Sequence, residues 1–123
     1  MKRMKLQEMT ADQLVERFLA IALDQDKALL MNEISKFNRL YDRMEEVENE
    51  LKARAGDQRR TLLPLYEHTN AEVRLKAAIA TLAVAPTAAR EVLQKISDRQ
   101  EYPQAASARS MMRALDEGTY KPS

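Results

Sequence analysis

Cysteine and tryptophan are missing from the 123 residues, and only two glycines and four prolines occur. Without cysteine there is no disulfide, no thiolate nucleophile and no thiolate metal site. So few glycines leave little material for hairpins, whose tight turns need residues that reach positive φ. Ala, Leu, Glu, Arg, Lys, Gln and Met abound instead, which favours an all-helical chain. A dominant charge sign is lacking too. Residues 1–56 carry ten Lys/Arg against eleven Asp/Glu, and residues 57–123 carry ten against eight. Neither half has the basic excess that phosphate-dominated nucleic-acid binding uses. The longest apolar run, Phe18 to Leu23, is far too short to span a bilayer. The basic start, Met1-Lys2-Arg3-Met4-Lys5, lacks the apolar run of a signal peptide. The expected location is therefore cytoplasmic, with no membrane partner.

Caps and apolar stripes predict about six helices in one domain spanning 10–118, between a flexible stretch 1–9 and a tail 119–123. Thr10 with Gln13 makes a capping box, each side chain satisfying an N–H that helix geometry leaves without a partner. The helix it opens carries Leu14, Val15, Phe18, Leu19, Ala22 and Leu23 on one face and is expected to run to about Asp26, with a break or bend near residues 27–32. Phe37, Leu40, Met44, Val47 and Leu51 then recur at spacings of three and four, a helical stripe that Ile34 and Tyr41 widen. Gly56 is placed for a left-handed cap that ends this helix near Ala55.

The second half reads as shorter units. A helix is expected over 57–67, with Leu62, Leu63, Leu65 and Tyr66 as its apolar contribution, then a turn through His68 and Thr69. Asn70 is a good N-cap for a nearly all-apolar helix to Val84. Pro86 suits the first turn of a helix with Ala89, Val92, Leu93 and Ile96 inward. Pro103 opens the last helix, with Ala106, Met111, Met112 and Leu115 on its apolar face and Gly118 as its stop. Setting Val73 against Ala106 and Leu82 against Leu115 gives a period in the solenoid range.

Leu62-Leu63-Pro64-Leu65-Tyr66, the turn through Asn70, and Val73-Arg74 with Ala77-Ala78 together resemble a HEAT or armadillo-type helical repeat. The wider stretch from Asn70 through Pro86 to Ile96 is similar to a small bacterial family of uncharacterised single-domain proteins with an armadillo-like fold. The resemblance covers roughly residues 10–98. It implies an all-α, right-handed HEAT-like stack with no assigned activity. It also implies that Arg74 pairs with an acidic group of an adjacent turn, direct ligand binding being the competing role. One departure is Thr81, which stands where the repeat pattern has Leu, with Leu82 one place later.

No reaction chemistry assembles from the remaining residues. Glu45, Glu46, Glu48 and Glu50 form the densest acidic cluster, but a carboxylate metal site in a helix bundle normally adds a Glu-x-x-His arrangement. The only histidine, His68, falls in a turn away from this helix. Glu48 with Lys52 and Glu50 with Arg54 are instead i, i+4 pairs in the favourable orientation. His68 has no neighbouring nucleophile and reads as a helix-end residue. Met111 and Met112 read as gap-filling core or interface residues. Phosphate-cradling glycine loops and zinc-protease motifs are absent.

The expectation is a non-enzymatic helical-repeat protein, without cofactor or metal, that binds another protein. Neutralising a toxin or regulating a partner is the analogy that related repeats offer. Homodimerisation through an uncapped end is a further option. Arg74, Lys76, Arg109 and Arg113 are the candidate partner-binding residues. The alternative is a HEAT-like nucleic-acid-binding protein using Arg59, Arg60 and those same four cations, which the near-zero net charge disfavours.

Overall fold

The computed structural model describes residues 4–123, and every regular element among them is helical. Five α-helices follow in order: α1 (Ala11–Leu30), α2 (Ile34–Ala53), α3 (Ala71–Ala80), α4 (Pro86–Asp98) and α5 (Gln104–Glu117). Two 3-10 helices, Leu6–Glu8 and Gln58–Glu67, complete the set. The described residues form two compact units, one ending at Thr61 and the other running from Leu62 to Ser123.

In the first unit, α1 begins at the expected box. The Gln13 N–H donates to Thr10 Oγ1 at 3.1 Å, and Gln13 Oε1 accepts from the Thr10 N–H at 2.8 Å. The helix runs to Leu30, past the expected stop at Asp26, and Asn32, in the left-handed region at φ 55°, turns the chain into α2. Asn tolerates that conformation because its short polar side chain compensates locally. α1 and α2 pack on each other. Leu14, Phe18, Ile21 and Ala22 are buried on α1, and Leu40, Met44, Val47 and Leu51 on α2. Burying each large side chain contributes about 1.5–3 kcal/mol before ordering costs.

Several expectations are corrected in this unit. Ile34 is 67% exposed and Tyr41 52%, so they do not widen the buried stripe, and Phe37 is only half-buried. A three–four spacing locates a stripe, but its width depends on what packs beside it. Leu23 also faces outward, while Gln25, not counted with the core, is fully buried. α2 stops at Ala53 with Arg54 as its cap, and Gly56, at φ 77°, serves the turn beyond rather than the cap. Of the stretch expected to be flexible, residues 1–3 lie outside the described residues. Leu6–Glu8 forms a 3-10 turn held by Arg54, which donates to the Leu6 carbonyl at 3.1 Å, and Met9 is buried.

The expected helix over 57–67 is a 3-10 helix. Pro64 inside it has no N–H to give to an α-helical ladder, and Leu62 and Leu65, three apart, share one edge of a three-residue turn. In the second unit, α3 packs on α4 and α5, and α4 on α5, around Leu75, Ala78, Leu82, Leu93, Ile96 and Met112. Asn70 caps α3 as expected, Oδ1 accepting from the N–H groups of Glu72 at 2.8 Å and Val73 at 3.2 Å. α3 ends at Ala80, not Val84. At this C-cap the buried Thr81 hydroxyl donates to the Ala77 carbonyl at 2.8 Å and accepts from the Tyr66 hydroxyl. Pro86 opens α4, and Gly118, at φ 74°, ends α5. Ala106 is exposed, and Ala105 and Ala108 are buried in its place, so aligning Val73 with Ala106 sets a buried position against an exposed one.

Candidate functional site

The four cations singled out from the sequence divide into two kinds. Arg74 follows the Asn70 cap by one turn, which aims it back at the preceding turn. Its Nε donates to the His68 carbonyl at 2.7 Å and Nη2 to the Thr69 carbonyl at 3.2 Å. Both terminal nitrogens also bind the Glu101 carboxylate, from the turn between α4 and α5. With 8% exposure Arg74 is not a surface group, which corrects its place among the partner-binding residues. The Glu101 bonds hold the guanidinium charged, above its ordinary value, and hold the Glu101 carboxyl below the usual carboxylate range.

Lys76 is likewise turned inward. Its Nζ lies 3.6 Å from Glu72 Oε2, and Glu72 is buried with its other oxygen accepting from Gln104 Nε2 at 3.1 Å. A carboxylate taken from water needs such a counter-charge and donor. Lys76 therefore neutralises a buried acid rather than facing a partner.

Arg109 and Arg113 remain on the surface. Both are exposed and one turn apart on α5. Arg109 is nonetheless fixed. Its Nε donates to Ser97 Oγ at 2.8 Å, Nη2 to the Ser97 carbonyl at 3.0 Å, and Nη1 to the Tyr102 hydroxyl. The guanidinium carbon lies 5.4 Å from the centre of the Tyr102 ring, in cation–π range. Three of its five N–H groups are thus used, and one on each terminal nitrogen is left to reach outward. Tyr102, 57% exposed, belongs to this site although the sequence showed it only as a connector. Its seven-residue separation from Arg109 crosses a turn, where helical periodicity carries no information.

Beside Arg74 a hollow of about 240 Å³ is lined by Tyr66, Glu67, Val92, Lys95 and Arg99 among others. It mixes both charge signs. Burial pushes the Tyr66 hydroxyl above its ordinary value, and the bond to Thr81 opposes this. His68 Nδ1 accepts from the Asn70 N–H at 3.0 Å, so its ring helps shape the turn. Among the described residues no three His, Asp or Glu side chains converge as a metal site would require. Glu50 pairs with Arg54 at 2.9 Å, as the helix spacing predicts. No helix among the described residues is long and apolar enough to cross a membrane.

A family model described as a domain of unknown function, DUF2019, matches residues 12–116. Among solved structures, the crystal structure of the protein RPA1889 from Rhodopseudomonas palustris CGA009 is similar at 50% sequence identity. The match covers 98% of this chain and 100% of that one, with a TM-score of 0.94. No curated protein matches.

Proposed function

For a chain that belongs to the DUF2019 family, whose description names no activity, we propose a non-enzymatic role: binding another protein through the Arg109 face of the second unit. In this reading α3, α4 and α5 are HEAT- or armadillo-like repeat material, each helix packing on the next, and the protein is cytoplasmic. The partner is one that the protein neutralises or regulates.

The observation that carries the proposal is the Arg109–Tyr102 pair, exposed yet immobilised by Ser97. An ordinary surface arginine loses rotamer freedom when it binds, a cost of order 0.5–1.5 kcal/mol. Arg109 has already lost it on folding. Arg and Tyr are also the side chains that most often dominate protein interfaces, because each presents rigid area with directional donors. Arg113, which makes no ion pair among the described residues, extends the positive potential by one turn.

The nucleic-acid alternative loses support from the same geometry. Of its six cations, Arg59 is bound to Asp57 at 2.6 Å, Arg74 to Glu101, and Lys76 faces Glu72. Cations neutralised within the chain release no counterions from a phosphate backbone. Affinity capture with the intact protein and with the Arg109→Glu, Arg113→Glu double variant tests the proposal. A partner recovered by the first and lost by the second, with unchanged helicity, supports it. Equal recovery by both, or a salt-sensitive shift of random duplex DNA, rejects it.

A further inference from the structure

The turn joining α1 to α2 gathers apolar side chains in the open. Leu30 is 78% exposed, Ile34 67% and Met31 65%, with Leu29 beside them at 39%. The tip is well formed: the Met31 N–H donates to the Lys27 carbonyl at 3.0 Å and the Glu33 N–H to the Ala28 carbonyl at 2.8 Å. Next to the projecting Leu30 lies a hollow of about 150 Å³, lined by Ala28, Leu29, Asn32, Glu33, Ile34 and Phe37. Patches of clustered apolar surface on a folded chain mark contact sites more often than single exposed residues do.

Two properties of this tip select its occupant. A two-fold contact needs a patch that is complementary to itself, and here a knob and a side-chain-sized hollow stand side by side. The turn carries both charge signs: Glu33 lines the hollow, Lys27 and Lys36 flank it in sequence, and none of the three is in an ion pair among the described residues. Under a two-fold axis, Glu33 of one copy approaches a lysine of the other. A uniformly charged protein surface or an anionic lipid surface would meet repulsion from part of the same turn.

We propose that a second copy of this chain docks on the α1–α2 turn, Leu30 of each copy entering the hollow of the other. The apolar patch is confined to one turn, and small contacts are the transient ones, so the dimer is a reversible one. This surface belongs to the first unit and shares no residue with the Arg109 face.

Sedimentation equilibrium on the full chain tests the pairing. The average mass is expected to rise from monomer toward dimer at concentrations above roughly 100 μM. The Leu30→Glu, Ile34→Glu double variant is expected to stay monomeric throughout. Because the chain has no cysteine, one introduced thiol gives a second readout. Ile34→Cys is expected to form a covalent dimer with an added oxidant several-fold faster than Ser107→Cys, an exposed position on α5. A wild-type chain that stays monomeric over the whole range overturns the proposal. So does a double variant that associates as the wild type does, and so do equal cross-linking rates at the two positions.

Discussion

Arg74 and Glu101, 27 residues apart, meet through two parallel hydrogen bonds, Nη1 to Oε1 at 2.8 Å and Nη2 to Oε2 at 2.7 Å. The same guanidinium holds the carbonyls of His68 and Thr69. One side chain thereby ties the turn before α3 to the turn before α5. The fork geometry of arginine allows this, since a lysine ammonium cannot serve four acceptors in a plane.

Replacing Arg74 with Met should therefore cost on the order of 3 kcal/mol, because Glu101 keeps a charge with no counter-ion and two carbonyls lose their donor. Arg74→Lys should recover only part of that loss. Urea unfolding of the three proteins measures both steps. A wild-type midpoint for Arg74→Met would show that the clamp contributes nothing, and one for Arg74→Lys that a counter-charge without the fork suffices.

The same pair sets an acid response. The carboxyl of Glu101 titrates below its ordinary value in the folded chain, so its stabilisation is complete above the unfolded glutamate value of about 4.3. It fades as pH falls through the lower, folded value. Asp57 and Asp116, held down by Arg59 and Arg90, fade in the same direction. Glu101→Gln should lower stability at pH 7 and give a shallower decline between pH 5 and 3. A decline as steep as that of the wild type would remove Glu101 from the account.

Gln25 is fully buried on α1, and neither its amide oxygen nor its nitrogen has a hydrogen-bond partner among the described residues. Such a group gives up its hydration without return, at about 1–3 kcal/mol. Gln25→Met, similar in length and apolar, should raise the unfolding free energy by about 1 kcal/mol. Calorimetry showing a lowered melting temperature would mean that the amide is satisfied in solution.

Phe18 and Ile34 should separate sharply although both are large apolar residues. Phe18 is fully buried, and Phe18→Ala should cost about 3–5 kcal/mol. Ile34→Ala should change stability by no more than about 0.5 kcal/mol, since its side chain is already in water. Phe37, half-buried, should fall between them. Equilibrium denaturation of the three variants orders them.

Helix starts were the most legible part of the sequence, because a cap is a local device. Thr10 with Gln13, Asn70 and Pro86 each act where their chemistry predicts. Gly118 does so at a helix end. Helix ends inside apolar sequence were not legible. Residues 79–84 are apolar apart from Thr81, yet α3 stops at Ala80, where the Thr81 hydroxyl meets Tyr66 from fifteen residues upstream. Burial was legible as a stripe but not in its width, as Ile34, Tyr41 and Ala106 show. Of the candidate site, Arg109 and Arg113 could be read from their spacing on one helix. The inward roles of Lys76 and Glu72 depend on Gln104, a contact no local pattern encodes.

The division into a unit that ends at Thr61 and another that starts at Leu62 has a consequence for how the chain reaches its native state. α1 packs on α2, and α3, α4 and α5 pack among themselves. Closing a short loop forfeits less chain entropy than joining distant segments, so such arrangements cross low barriers. α1 and α2 are neighbours in sequence as well as in contact, so both halves of that pairing are present once α2 has been made. During synthesis the ribosome releases the α1–α2 hairpin first, and its helices can pair while the residues of α3 to α5 are still being added.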